Sequence, residues 1–136
     1  MVAKLLLDTG PWVALIDRSE SRHADCVAAL ESWSGTLFTT EAVLTETLYL
    51  VGQSWEAQQV CFEFLARRAV SLAPSSHNLQ RIAVLMEKYR DLPMDFADAT
   101  LVALGEELET DYVFTLDQRG FSVYRLRGKK PFRIIP

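Results

Sequence analysis

The amino-acid sequence predicts an α/β fold in which a mostly parallel central sheet is flanked by helices on both faces. Short apolar runs, which are typical of buried parallel strands, alternate along the chain with longer segments of helical periodicity. The 136 residues are 49% hydrophobic and 24% charged, within the range of ordinary globular proteins. Because no linker, repeat or low-complexity stretch divides the chain, we expect residues 1–136 to form a single domain.

The first strand and the two helices after it begin this pattern. Residues 4–7 form a short apolar run that ends at Asp8. The turn Thr9-Gly10-Pro11 then places a proline at the first position of a helix over about 11–17. A second helix is predicted over about 23–33, where apolar residues recur at helical spacing.

Further strands and helices follow in alternation. Thr40 is a suitable N-cap between a strand over 36–39 and a helix over 41–51. The other predicted elements are a helix over about 55–68, a strand over 69–72, a helix that begins at 74–76 and runs to about 89, a helix over about 95–108, a strand over 112–116 that ends at Asp117, and edge strands over 121–124 and 132–134. Such an order predicts right-handed crossovers between parallel strands.

Two acidic side chains terminate predicted strands. Asp8 follows the first apolar run, and Asp117 follows the run at 112–116. Because sites in parallel sheets form beyond the carboxyl ends of the strands, we expect both acids to lie at one edge of the sheet. An aspartate in this position also commonly caps the next helix, so each acid taken alone has a purely structural interpretation.

Further acids lie on helix faces that are otherwise apolar. Glu46 lies between Val43 and Leu50 on one row of a predicted helix. Asp98 similarly precedes apolar residues on the inward face of its helix, and Asp95 lies on the same face, although it also suits an N-cap. Burial of such carboxylates without a partner would be costly, which favours a functional role.

Together these acids predict a metal centre. Converging carboxylates repel one another, and divalent cations with oxygen ligands relieve that repulsion. A set without histidine or thiol favours Mg²⁺ or Mn²⁺, as one ion or two, over zinc or copper. Such ions activate water for hydrolysis of a phosphodiester without a side-chain nucleophile. Thr9 and Thr115 flank the strand-end acids and either orient them or act only as caps.

The charge of the chain is unevenly distributed. The net charge is −4, yet six of the 14 Lys and Arg residues lie within 119–136, which contains no acid. A basic segment of this kind is typical of contact with a phosphate backbone, and a solvated edge is the competing interpretation. We predict substrate-guiding roles for Arg119, Arg125, Arg127, Lys129 and Lys130, whereas Phe121 and Tyr124 are predicted to pack in the protein rather than to stack on bases.

Several other classes are excluded by particular residues. The apolar run before Asp8 is too short for a signal peptide or a membrane span, so we expect a cytoplasmic protein that does not associate with membranes. The two cysteines and two histidines lack the spacing of a zinc site. An aspartyl-phosphate phosphatase needs a second aspartate where this chain has Gly10, and a signalling receiver needs a lysine near Leu116 and an acidic pair that the chain lacks.

Four segments of the chain together resemble the motifs of the PIN-domain nucleases, and among them the VapC-like toxins of bacterial and archaeal toxin–antitoxin pairs. The segments are LLLDTGPWVALID, TTEAVLTETLYLV, LPMDFADATLVALGEEL and VFTLDQRGFSVYRL. The resemblance covers almost the whole chain and depends on the order and spacing of the motifs. It implies that Asp8, Glu46, Asp98 and Asp117 are catalytic metal ligands and that Asp95 is a supporting acid.

The resemblance also implies an activity and partners. The expected protein is a PIN-like, Mg²⁺- or Mn²⁺-dependent endoribonuclease that forms homodimers, cuts an RNA substrate and is inhibited by a cognate antitoxin whose tail enters the acidic groove. Two alternatives remain open. The first is a housekeeping PIN nuclease without a toxin role, and the second is a PIN-like module that binds RNA or protein without cutting.

Overall fold

A five-stranded, all-parallel sheet forms the centre of the molecule in the computed structural model, which describes residues 3–52 and 54–136. The strands are β1 (Lys4–Leu7), β2 (Thr36–Thr40), β3 (Val70–Ala73), β4 (Tyr112–Phe114), β5 (Arg125–Leu126), β6 (Lys130–Pro131) and β7 (Arg133–Ile135). The sheet has the order β3-β2-β1-β4-β7, and β5 and β6 form a separate antiparallel hairpin. The predicted α/β class is confirmed.

The helices connect these strands and cover the sheet. They are α1 (Thr9–Ile16), α2 (His23–Ser32), α3 (Glu41–Leu50), α4 (Trp55–Ala66), α5 (Leu79–Lys88), α6 (Phe96–Leu108) and the short α7 (Gln118–Phe121), with a 3₁₀ turn at Ser75–Asn78 before α5. Along the described residues no helix is long and apolar enough to cross a membrane.

The hydrophobic core surrounds the central strand β1. Its residues Leu5, Leu6 and Leu7 are fully buried, because β2 and β4 flank the strand and helices cover it. From α6, Leu101 and Val102 are also fully buried in this core. A continuous apolar strand of this kind is what a parallel sheet requires, since water reaches neither of its faces.

The segment after β4 differs from its prediction. Residues 121–124 do not form an edge strand: Phe121 ends α7, and Tyr124 lies in the turn that leads to β5. Asp117 begins α7 by accepting a hydrogen bond from the backbone N of Gly120 at 3.1 Å. Both aromatic rings then turn into the core, so the prediction that they pack rather than stack on bases is confirmed.

The other predicted elements differ from the structure only at their ends. The strand predicted at 69–72 lies at Val70–Ala73, and the one predicted at 132–134 lies at Arg133–Ile135, where it is an edge strand paired with β4. The helix predicted from 74–76 begins as a 3₁₀ turn, since Asn78 caps α5 through a hydrogen bond from Arg81 N.

The topology brings the ends of β1 and β4 together. The two strands are parallel neighbours with Leu7 opposite Phe114, and Asp8 N donates a hydrogen bond to Phe114 O at 3.0 Å. The residues that follow the two strands, Asp8 and Thr115, therefore meet at the carboxyl edge of the sheet, as the position of sites in parallel sheets predicts.

Candidate active site

Asp8 is the most deeply buried acid of the site, with only 7% of its surface exposed. One carboxylate oxygen accepts a hydrogen bond from Thr9 N at 2.8 Å, and the other accepts one from Thr115 Oγ1 at 2.7 Å. The Thr115 hydroxyl in turn accepts a hydrogen bond from Asp117 N at 2.9 Å. Thr115 therefore links the acids that follow β1 and β4 and fixes the orientation of Asp8.

The environment of Asp8 makes its carboxyl group harder to ionise than an exposed one. Burial raises the pKa of Asp8 to about 6, since the hydrogen bonds from Thr115 and Thr9 offset only part of the desolvation and the charges of Asp95 and Asp117 raise it further. The hydroxyl of Thr9 is buried without a hydrogen-bond partner among the described residues.

Asp98, in the first turn of α6, is paired with a tyrosine. Tyr124 OH donates a hydrogen bond to Asp98 Oδ2 at 3.0 Å. The tyrosine ring is held between the rings of Tyr89 and Phe121, each with its centroid 5.0 Å away. Burial, followed by the charges of Asp8 and Asp95, raises the pKa of Asp98 to about 8, although the hydrogen bond from Tyr124 opposes this shift. Burial and the charge of Asp98 raise the pKa of Tyr124, so its hydroxyl remains a donor.

Two further acids belong to the start of α6 and to the middle of α3. Asp95 is the N-cap of α6 and accepts a hydrogen bond from Asp98 N at 2.8 Å. Glu46 projects from α3, and its pKa is raised by burial first and then by the charges of Asp95 and Asp8. Glu46 therefore lies within electrostatic range of Asp95 and Asp8, and Asp98 within range of the same two acids.

Asp117 completes the cluster from the start of α7. Its carboxylate accepts the hydrogen bond from Gly120 N, and its charge raises the pKa of both Asp8 and Asp98. A Cβ atom on Gly120 would lie 2.8 Å from Asp117 Oδ2 and 2.8 Å from Tyr124 OH. A side chain at this position would therefore displace the Asp117 carboxylate or the Tyr124 phenol.

The five acids form one cluster, which we call the acidic cluster: Asp8, Glu46, Asp95, Asp98 and Asp117. Among residues 3–52 and 54–136, none of the five pairs with a Lys or Arg side chain. Such a group lowers its self-repulsion either by taking up protons, as the raised pKa values indicate, or by binding a cation.

The donor set of the acidic cluster fits a hard divalent cation such as Mg²⁺ or Mn²⁺, since all of its ligating atoms are oxygens. Within the described part of the chain, no three Asp, Glu, His or Cys side chains already stand in the arrangement that holds an ion. Asp95 and Asp117 each use only Oδ1 to cap a helix.

We expect the stability of the metal-free protein to fall as the pH rises from 5 to 8. The pKa of Asp8 is about 6 and that of Asp98 about 8 in the folded protein, against an ordinary value of 3.8. The folded state therefore holds more protons than the unfolded state in this range. Each carboxyl with a raised pKa loses its contribution to stability as the pH rises through its folded pKa.

Urea unfolding with chelator at pH 5, 6.5 and 8 measures this dependence of stability on pH. Asp98→Asn should flatten the dependence, and a wild-type stability that rises over this range would contradict the assignment.

Tyr124 is a site residue that the sequence did not indicate. Its segment alternates in the manner of an edge strand, and the hydrogen bond to Asp98 depends on the bend that α7 introduces. Asp117 was the available signal, because an aspartate is a common N-cap and predicts the start of a helix at this point.

We predict that Tyr124→Phe weakens divalent-metal binding or RNA cleavage by about 10- to 100-fold, as is typical when a partner of a metal-ligating carboxylate is lost. Metal titration and RNA cleavage measure the effect. Tyr89→Phe is the matched control, because the Tyr89 hydroxyl accepts a hydrogen bond from Arg125 N and contacts no acid of the cluster. Equal effects of the two substitutions would assign Tyr124 to packing alone.

The structure distributes the predicted substrate-guiding residues over several places. Arg119 is exposed on α7, which Asp117 caps. The Arg125 guanidinium donates to the carbonyls of Ser122, Val123 and Tyr124. These two residues lie in the segment that also supplies Asp117 and Tyr124.

The other three lie on the β5–β6 hairpin or in its turn. Arg127 donates to the backbone O of Glu106, which is roughly 12 Å along α6 from Asp98 at 1.5 Å per residue. Lys130 Nζ lies 3.4 Å from Asp111, which precedes β4 and so is at the opposite end of that strand from Asp117. Lys129, in the turn, is exposed. The hairpin residues are therefore not adjacent to the acidic cluster.

A parallel α/β domain with clustered carboxylates at the carboxyl edge of its sheet is the architecture of a metal-dependent nuclease of the PIN type. The PIN-domain family model matches residues 5–126. The chain is 30% identical to the ribonuclease VapC26 of Mycobacterium tuberculosis over 135 residues. This match covers 97% of the chain and 100% of that protein.

Solved structures of toxins have the same fold. VapC20 of Mycobacterium tuberculosis, a toxin that cleaves the sarcin–ricin loop, superposes with a TM-score of 0.72 at 19% identity over 84% of this chain and 90% of its own. A toxin–antitoxin complex from Klebsiella pneumoniae superposes with a TM-score of 0.68 at 18% identity, over 88% of this chain and 91% of that one. VapBC2 from Rickettsia felis, bound to a promoter DNA fragment, superposes with a TM-score of 0.67 at 15% identity, over 98% of this chain and 100% of that one. The chain belongs to the PIN-domain family, as a VapC-like member.

Proposed function

We propose that this protein is a divalent-metal-dependent endoribonuclease that acts as the toxin of a toxin–antitoxin pair. The observation that carries the proposal is the convergence of five carboxylates, none of which pairs with a described Lys or Arg side chain, at the carboxyl edge of the sheet. The relationship to a ribonuclease over nearly the full length of both chains supports the choice of RNA as the substrate.

In this mechanism Asp8, Glu46, Asp98 and Asp117 would hold one or two Mg²⁺ or Mn²⁺ ions, with Asp95 as a supporting acid. When bound, the ions activate the attacking water and neutralise charge on the scissile phosphate and the leaving oxygen. The protein keeps its ligands oriented: Thr115 holds Asp8 through its 2.7 Å hydrogen bond, and Tyr124 holds Asp98 through its 3.0 Å hydrogen bond. Burial of Asp8 and Asp98 strengthens their interaction with a cation, because little solvent screens it.

The RNA backbone would approach from the side of α7. Arg119 is the cation nearest in sequence to Asp117, and Arg125 lies beyond Tyr124 in the same segment. Arg127, Lys129 and Lys130 would contact phosphates farther from the scissile bond, because their hairpin lies toward the far end of α6 and of β4. Phosphate contacts of this kind position the substrate without selecting its sequence.

The proposed partners are a cognate antitoxin and a second copy of the chain, in the cytoplasm. An antitoxin matches the toxin–antitoxin assemblies of the structural neighbours from Klebsiella pneumoniae and Rickettsia felis. An acidic cluster that needs cations also suits occupation by a basic side chain from an inhibitor, since such a side chain would neutralise the same charge as the metal.

Induced expression in a bacterial host tests the toxin role. Wild-type protein is expected to arrest growth and to degrade or nick cellular RNA, whereas Asp98→Asn, expressed to the same level, is expected to do neither. If a small protein is encoded beside this chain in its genome, its co-expression should restore growth. If the soluble wild-type protein cleaves RNA in vitro but leaves growth unaffected, the result would indicate a housekeeping nuclease instead.

A further inference from the structure

A groove of about 510 Å³ opens directly beside the acidic cluster, between the first two turns of α3 and the start of α6. Two of its lining residues, Glu46 and Asp95, belong to the cluster itself. Phe96, the first residue of α6, lines the same groove with 41% of its surface exposed. The groove is therefore continuous with the proposed site of phosphodiester cleavage.

Phe96 differs from the other aromatic residues near the acids. Phe121 is fully buried and Tyr124 is 1% exposed, so neither offers a free ring face. The other strongly exposed aromatic side chains of the described residues, Tyr49, Trp55 and Phe62, belong to the end of α3 and to α4. Among the side chains that the structure describes, only Phe96 combines an exposed ring with a position in the groove that adjoins the acidic cluster.

The charge of the groove selects among the parts of an RNA chain. Its described lining contains three carboxylates, those of Glu41, Glu46 and Asp95, and no Lys or Arg. A phosphate would be repelled from such a surface, whereas a nucleobase is uncharged and presents a π face to an aromatic ring. Glu41 is an acceptor at the side of the groove, since its Oε1 already accepts a hydrogen bond from Ser75 N at 3.3 Å.

We propose that this groove binds an unpaired base of the RNA next to the scissile phosphate, with Phe96 stacking on the base and Glu41 accepting a hydrogen bond from its exocyclic amino group. The proposal rests on the ribonuclease function proposed above and names how the same site recognises its substrate. It makes Phe96 and Glu41 specificity-determining residues. A base that carries an amino group, namely adenine, cytosine or guanine, is expected there in preference to uracil.

Binding of a single-stranded RNA oligonucleotide tests the stacking role without requiring cleavage. In an Asp98→Asn background, Phe96→Ala is expected to weaken binding by about 5- to 150-fold, which is the range for loss of one base–aromatic stack. Phe96→Trp should retain binding. Phe62→Ala is the matched control, because Phe62 is 44% exposed on α4 and packs against Trp55 at a centroid distance of 6.4 Å.

An abasic scan shows whether the lost contact is with one base. Oligonucleotides with a single abasic site at successive positions should reveal one position where base removal weakens binding to the parent protein but not to Phe96→Ala. Thermal unfolding of each variant confirms that folding is intact, as the exposure of Phe96 leads us to expect. Equal losses at that position for both proteins, or unchanged binding by Phe96→Ala, would overturn the proposal.

Cleavage of a randomised RNA pool tests the role of Glu41. The wild type is expected to disfavour uracil at one position beside the cut, and Glu41→Gln is expected to change the preference there alone. A pool cut with the same preferences by wild type, Phe96→Ala and Glu41→Gln would overturn the inference while leaving the nuclease assignment intact. A wild type that binds RNA through Phe96 but never cuts it would overturn the nuclease assignment and retain the base-binding groove.

Discussion

Addition of Mg²⁺ or Mn²⁺ to chelator-treated protein is expected to raise its melting temperature by roughly 5 to 15 °C. A ligand at about a hundred times its Kd stabilises the folded state by about 2.7 kcal/mol when it binds only that state, and each kcal/mol moves the melting temperature of a domain of this size by a few degrees. The effect should be larger at pH 8 than at pH 5, because protons compete with metal for Asp8 and Asp98, whose pKa values are about 6 and about 8.

Differential scanning fluorimetry over a metal titration measures this shift. The same titration of Asp8→Asn should show a much smaller shift, since the variant lacks the most buried acid of the cluster. Asp25→Asn is the matched control, because Asp25 is an exposed acid on α2 paired with Arg22. An equal shift for all three proteins would place the metal outside the acidic cluster.

Asp8→Asn is expected to reduce RNA cleavage by at least about a hundredfold while the protein stays folded. Asparagine keeps the shape of the side chain and can still accept the hydrogen bond from Thr9 N, but it lacks the charge that holds a cation. Loss of a residue that only supports a metal ligand costs up to about a hundredfold, so loss of a ligand should cost at least as much.

Initial rates on a single-stranded RNA at saturating Mg²⁺ measure the loss, with Asp25→Asn as the control for a lost surface charge. The metal-free variant should also be more stable than the wild type at pH 8, because a buried charge has been removed. Full activity of a folded Asp8→Asn would remove Asp8 from the proposed mechanism.

The sequence predicts the position of Asp8 well because the topology leaves little choice. A short apolar run followed by an acid and then a helix specifies a buried parallel strand, and the acid must then lie at its carboxyl edge. Once β1 and β4 are neighbours, Asp8 and Thr115 come within hydrogen-bond distance without further information. The convergence of strand ends therefore follows from local patterns and general rules of sheet topology.

The chain after β4 was harder to predict, because its conformation depends on contacts between distant residues. The alternation around Tyr124 is typical of a strand, yet Asp117 and Gly120 form a helical turn that directs the tyrosine toward Asp98. No local sequence pattern predicts the hydrogen bond between Tyr124 and Asp98, which are 26 residues apart in the chain.

The pairing of the charges in the basic segment, residues 119–136, also depends on contacts between residues distant in sequence. Residues 119–136 contain six cations and no acid, but in the folded chain Arg133 forms two hydrogen bonds with Asp111 and Lys130 lies close to the same carboxylate. The tail is thus partly neutralised at the end of β4 away from the acidic cluster. Sequence distance alone does not show which cations remain available to a substrate.

Cleavage of total cellular RNA by purified protein tests the central claim most directly. Wild type and Asp98→Asn are each incubated with Mg²⁺, with Mn²⁺ and with excess chelator, and the RNA ends are sequenced. We predict discrete fragments only from wild type with a divalent metal. Equal cleavage by both proteins, or cleavage by wild type in chelator, would contradict a metal-dependent active site at the acidic cluster.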